Sequence, residues 1–353
     1  NPWGEIYVIS SSINFMSNDG RKLATISVDA DGKLETTPSG STTPDPIASF
    51  PFVGDAVITG SLLISGSQAL QIDASNVVLG KNAGGGSVDT GTDDNNVIIG
   101  TDAVGGGSFN SGDGNIAIGH SAAEGLTTGD ENIAIGTNAA GGAALSGVKN
   151  VVIGSNAGLN LGSTADFNVL IGENAGSTLG NSNQNNVMIG RFAGQSAPAG
   201  TYNTVLIGNN AGRAITAASA GAVLIGSWAG VGASGASNIA IGMNAIRGGN
   251  DSFFSSNTDI IKNIAIGEGA GRYIDGHQNI FIGHDVAGST SLAAAHNNTI
   301  IGFEAAASLT TGEGNIILGP SVDVNGAASD HHLRIGSGSV IAISGSLATG
   351  DVI

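Results

Sequence analysis

The 353-residue chain has no cysteine, so its stability has to come from burial and strand pairing, with the redox compartment left open. Charged residues make up only 11% of it and aromatics 4%. Basic residues are scarcer than acidic ones, 11 Lys and Arg against 28 Asp and Glu, for a formal net charge of −17. That balance argues against a nucleic-acid partner, which needs a basic face. No apolar run approaches the roughly 18 residues of a membrane-spanning helix, so no membrane insertion is expected. Glycine is abundant, at 59 residues, but follows no Gly-X-Y period, which excludes collagen. The composition is also too aliphatic and too uncharged for disorder. The first residue is Asn1 and not Met, which reads as a processed chain or a fragment.

What the chain does contain is one unit, repeated. Asn150-Val-Val-Ile-Gly-Ser-Asn-Ala-Gly158 recurs as Asn, an aliphatic triplet, Gly, two variable residues, then Ala and often Gly. Fifteen copies can be aligned on their strand-ending glycines, from Gly80 to Gly336, mostly 16 to 20 residues apart. One step, Gly242 to Gly267, is 25. A fixed period near this length means stacked supersecondary units. The triplets are β-branched and aliphatic, which favours strand. Three residues cannot form a sheet alone, so the copies must pair with one another. The expected fold is all-β: a parallel β-solenoid of about fifteen coils, each adding roughly 4.8 Å along the axis.

Twelve copies place Asn before the triplet, the exceptions being Thr204, Ala222 and His332. Stacked at one position, Asn can form an amide ladder. Gly after the triplet permits a corner of positive φ. Twelve copies carry Ala three residues further on, which implies a tight corner or a crowded contact.

The middle residue of the triplet decides the assembly. Neighbours on a strand point to opposite faces. If the first and third residues fill the coil, the middle one faces outward. Yet fourteen of the fifteen middle residues are apolar, among them Val152, Leu170, Met188, Leu206, Leu224, Phe281, Ile300 and Ile317. A strand apolar on both faces is buried on both. The expectation is that this stripe packs against identical chains around a symmetry axis. The alternative, a second layer made by the chain's own loops, fits poorly with loops as polar as Ser87-Val-Asp-Thr-Gly-Thr-Asp-Asp94.

The chain divides into four expected regions. Residues 1–35 form a small N-terminal β-module for attachment, with a hairpin of Leu23–Val28 and Lys33–Thr36 turning at Asp31-Gly32. Residues 36–75 are a linker followed by irregular first strands or a cap. Residues 76–336 are the array, and residues 337–353 a C-terminal cap strand, because a solenoid's open ends need covering.

Candidate binding residues lie off the strands. The long step inserts Arg247 to Lys262, with Phe253 and Phe254 adjacent within it. Long solenoid loops often carry binding, although the two rings could equally tuck under the loop. From Asp89 to Glu131 there are eight acids and no Lys or Arg; from Asn174 to Asn250 there are three arginines and no acid. These stretches read as solvated loop faces, or as a belt for divalent cations and a belt for an acidic glycan. Gly230-Val-Gly-Ala-Ser-Gly235 fits a nucleotide-binding pattern but sits in a repeat corner with no helix after it. His331 and His332 point apart on a strand, so a metal there would need one His from each of three chains. No Ser/His/Asp grouping or singled-out carboxylate pair is found. No cofactor and no enzymatic activity are expected.

At Asn115-Ile-Ala-Ile-Gly119 and Asn132-Ile-Ala-Ile-Gly136 the array resembles the head repeats of trimeric autotransporter adhesins. It also resembles phage tail-fibre proteins with Asn-x-Ala-Ile-Gly-x-x-Ala-Gly repeats, and Asn150–Gly158 looks closer to these. Thr59-Gly-Ser-Leu-Leu-Ile-Ser-Gly66 and Leu333-Arg-Ile-Gly-Ser-Gly338 look like phage structural proteins as well. The resemblance implies a left-handed coil and a homotrimer. It implies a virion appendage on the particle surface, joined through its N-terminal region to other tail or fibre proteins and attaching to a host-surface glycan or protein. A bacterial trimeric surface adhesin and a glycan-degrading tailspike are the alternatives.

Overall fold

The computed structural model describes residues 12–16, 22–28, 34–38, 45–46, 60–64, 67–72, 75–86, 95–106, 112–142, 145–215, 220–233, 235–248, 260–288, 292–293, 295–324 and 326–352. The chain divides into two compact units, Asn1–Ile58 and Thr59–Ile353.

In the first unit, Ser12–Met16, Lys22–Val28, Leu34–Pro38 and Asp45–Pro46 form an antiparallel sheet in that order. Lys22–Val28 pairs with Leu34–Pro38, the hairpin expected from the sequence; its Asp31-Gly32 turn lies outside the described residues. The sheet continues through Pro46, into the stretch expected to be linker.

The second unit is all-β, with almost no helix: a parallel β-solenoid of about twelve turns. Its triplets stack in strict register, for instance Val151, Val152 and Ile153 against Val169, Leu170 and Ile171. The one helical segment among the described residues is a short 3-10 turn at Ala83–Gly86, where Gly84 and Gly85 have positive φ. At the first triplet, Ser67–Ile72 and Gly60–Ile64 pair antiparallel against Val77–Leu79. At the last, His332–Ser337 continues the parallel ladder and turns back antiparallel into Val340–Ser346, then Asp351–Val352. The array is thus finished at both ends by hairpins that change the strand direction.

Each repeat position has a physical reason. The Asn that precedes most triplets is buried and bonded from coil to coil. Asn168 donates its backbone N–H and its Nδ2 to Asn150 Oδ1, both at 3.0 Å, and Nδ2 also reaches Asn183 O at 2.9 Å. Buried amides must be satisfied, and here each satisfies the next. Thr204 keeps the ladder by donating its hydroxyl to Asn186 Oδ1 at 2.8 Å. Ala222 brings no side-chain acceptor, and the ladder resumes between Asn238 and Asn263.

The glycine after the triplet is forced. Gly172 has φ 129°, and a Cβ there would lie 2.6 Å from Gly190 O of the next coil. The corner that follows places its second residue in the left-handed region, Asn at several coils (Asn156, φ 53°), and often its fourth (Gly158, φ 51°). This turns one backbone N–H back along the axis and one forward: Asn156 N bonds Thr137 O, and Gly158 N bonds Ala175 O, each at 2.9 Å.

In several coils the interior is filled reciprocally. Where the middle residue is Leu170, Met188, Leu206 or Leu224, the fourth residue after the glycine is Gly176, Gly194, Gly212 or Gly230. Where it is Ala117, Ala134 or Ala240, that position holds Ala123, Ala140 or Ile246, all buried. Gly271, in an alanine coil, leaves room for Phe281 of the next coil, whose Cδ2 lies 2.7 Å from where a Cβ would be. A third interior column, Leu161, Leu179, Ile215, Ile274 and Leu309, stands seven residues after the glycine.

Candidate functional site: the outer faces of the array

The triplets bury their middle residue and half-expose its two neighbours. This reverses the expected orientation. Val152, Leu170, Met188, Leu206, Leu224, Phe281, Ile300 and Ile317 all lie inside the coil of their own chain, at most 1% exposed. They are core residues and are not available to pack another chain. The physical reason is the corner. Residues three, four and seven positions after the glycine turn inward, and the middle side chain fills the space among them.

The outward face is therefore made by the first and third residues. Along the array these are Val, Ile or Leu at every copy except Thr299. They form two parallel columns without a charge, and Val77, Leu79, Ile241, Ile266 and Ile301 are more than a third exposed. The sheet is still apolar on both faces, as the sequence required, with the two faces exchanged.

The expected binding loop is only partly in view. Phe253 and Phe254 lie outside the described residues. Arg247 stands at the loop's start with its guanidinium 5.1 Å from the Trp228 ring and Nη1 3.2 Å from Asn244 Oδ1. Lys262, at the far end, is exposed and donates its backbone N–H to Ala236 O.

In the acid-rich stretch Asp89, Asp93 and Asp94 lie outside the described residues, and three of the other acids are engaged by neighbouring coils. Asp130 Oδ1 accepts from Asp113 N, Asp102 Oδ1 accepts from Asn82 Nδ2, and Glu131 lies 3.9 Å from Lys149. An open cleft of about 460 Å³ is lined by Arg272, Asp285, Glu304, Ser321 and Asp323. Asp323 there is already held by the backbone N–H groups of Ser308 and Val324. Among the described residues no group of three His, Cys, Asp or Glu could hold a metal ion. His332 takes the Asn position, its N–H bonded to Asn315 Oδ1 at 2.9 Å, while His331 occupies the left-handed corner before it. No described helix is long and apolar enough to cross a membrane.

Fold and surface together define a parallel β-solenoid repeat protein with an apolar outer sheet face. No protein-family model matches the chain, and no match is found among curated proteins or solved structures.

Proposed function

We propose that this chain is a structural fibre protein of a phage virion: a homotrimeric rod, of fifteen coils if both terminal triplets are counted, that mediates attachment to a host surface. The observation that carries the reading is the pair of outward aliphatic columns. At about 4.8 Å per coil they run for roughly 65 Å. A monomer rarely exposes so large a contiguous apolar surface. Three such faces turned toward one axis would cover one another with the same residues from each chain. The resemblance of the repeats to phage fibres and adhesin heads, rather than the geometry, supplies the number three and the left-handed coil.

The array's work is then mechanical and adhesive. The ladders of Asn and Gly fix the coils in register, the hairpins protect the ends, and the lateral corners and the Arg247–Lys262 insertion remain free to vary for a receptor. The N-terminal sheet is the part assigned to joining other virion proteins. Gold-labelled antibody against the purified chain, imaged on intact particles, tests the reading. Label on a slender appendage supports it. Label on a bacterial envelope instead would favour the surface adhesin. Loss of polysaccharide viscosity on incubation with the chain would favour a glycan-degrading spike.

A further inference from the structure

We infer that the cleft between Arg272 and Asp323 is a binding site for a short stretch of neutral polysaccharide. This rests on the attachment-fibre reading and narrows its receptor to a glycan.

The cleft crosses four successive coils, those of Gly267, Gly283, Gly302 and Gly319. Two axial rows border it. The second residues after these glycines are Gly269, Asp285, Glu304 and Ser321. The fifth residues in the first three coils are Arg272, Gly288 and Ala307. Small residues open the space. Gln195 and Arg213 fill the fifth position in other coils, whereas here Gly288 and Ala307 line the floor. Gly269 opens the other row. It stands where several coils carry Asn, and a Cβ on it would overlap Asp285 Oδ1, which lies back over it. The volume of about 460 Å³ suits a small ligand. At about 4.8 Å per rise the four coils span about 14 Å, comparable to a short oligosaccharide lying along the axis.

The lining selects a polyol. Arg272 can only donate hydrogen bonds, the Asp285 and Glu304 carboxylates can only accept them, and the Ser321 hydroxyl does both. Asp323 is committed to Ser308 and Val324 and serves as wall. Arg272 Nε is buried without a hydrogen-bond partner, so the wall carries an unmet donor. An anion in the cleft would face two carboxylates on successive coils, and a cation would face the guanidinium. Sugar hydroxyls donate and accept together, so one ring can bond both rows. Asp285 Oδ2 is placed beforehand, 3.3 Å from His284 Nδ1. The His284 ring stacks on Phe303 with centroids 5.3 Å apart, and Phe303 is 51% exposed. These two residues directly precede Asp285 and Glu304, so an aromatic platform borders the acceptor row. Sugar C–H faces pack on such rings. Holding the groups in place lowers the ordering cost of binding. Three copies of the cleft on one fibre would multiply a weak contact.

The test uses the full chain with three neutral trisaccharides, maltotriose, laminaritriose and chitotriose, and with trilysine and trigalacturonate as charged controls. Binding isotherms are measured at low and high salt. At least one neutral sugar is expected to bind, more tightly than either control and with an affinity that salt leaves unchanged. E304A, which removes an exposed acceptor, and A307F, which fills the cleft, should each weaken it by about ten-fold or more. K149Q, on a different coil, should leave it unchanged. Circular dichroism confirms that the variants stay folded. Failure of all three sugars to bind the wild-type chain, tighter binding of trilysine or trigalacturonate, or unchanged affinity in the E304A/A307F variant overturns the proposal and leaves the fibre reading standing. Absence of the chain from particle appendages would overturn the fibre reading, and the isotherms would still decide this one.

Discussion

Asn150 Oδ1 takes two hydrogen bonds from Asn168, from its backbone N–H and from its Nδ2, both at 3.0 Å. One oxygen per coil thus closes the register between that coil and the next. Each Asn is donor to the coil before it and acceptor for the coil after it, so the ladder is only as good as its continuity.

Asn150→Ala removes that acceptor and also the donor to Ala165 O. Two buried donors and a carbonyl would be left, and the expected loss is about 2–4 kcal/mol. Asn150→Thr should lose less, because the Thr204 hydroxyl shows that a donor survives at this position. Urea denaturation of both variants against the wild type measures the difference. Equal stability in all three would mean that the ladder is incidental.

Two nearby glycines should respond very differently to alanine. At Gly172 a Cβ meets the backbone carbonyl of Gly190, which cannot move without breaking the stack, so Gly172→Ala should cost about 3 kcal/mol or more. At Gly158 the nearest atom is Leu170 Cδ1 at 2.9 Å, the end of a side chain, and Ala123 and Ala140 occupy the same corner position elsewhere. Gly158→Ala should cost about 1 kcal/mol, mainly the left-handed backbone. Melting temperatures of the pair check the ordering.

The parts of the fold written in the sequence were those set by backbone geometry. Strand triplets, the positive-φ glycine column and the Asn ladder follow from which residues tolerate those positions, whereas the hairpins at Gly60–Ile72 and His332–Ser346 were expected only as irregular strands and a cap strand. The facing of the triplet did not follow. Val-Leu-Ile is apolar at all three places, so polarity cannot say which side is wet. Side-chain size could have said it. The middle position ranges from Ala117 to Phe281, and at Leu170, Met188, Leu206 and Leu224 it is matched by glycine at the corner, whereas the flanking positions are nearly uniform Val and Ile. The column of Leu161, Leu179 and Ile215 was hidden in loops that looked too polar to contribute a core.

Deleting residues 248–259 should leave the array folded and assembled, because loop length changes stability only slowly. Attachment of particles to host cells should fall, since the loop would appear three times around one belt. Unchanged attachment would make the insertion a bulge and move the receptor site elsewhere.

The two faces of the triplet should separate under lysine substitution. Changing Leu170, Met188 and Leu206 together to Lys puts three unpaired charges inside one chain's core, at several kcal/mol each, and should unfold the coils. Changing Val169, Val187 and Val205, the half-exposed neighbours, should keep the coils folded by circular dichroism. A folded inward variant would contradict the buried stripe.

The central claim is that the outward aliphatic columns are covered by copies of the same chain. Multi-angle light scattering of the wild type and of the Val169/Val187/Val205→Lys variant tests it most directly. The account expects three times the chain mass for the wild type and one chain mass for the folded variant. A wild-type chain that is folded and monomeric would contradict it.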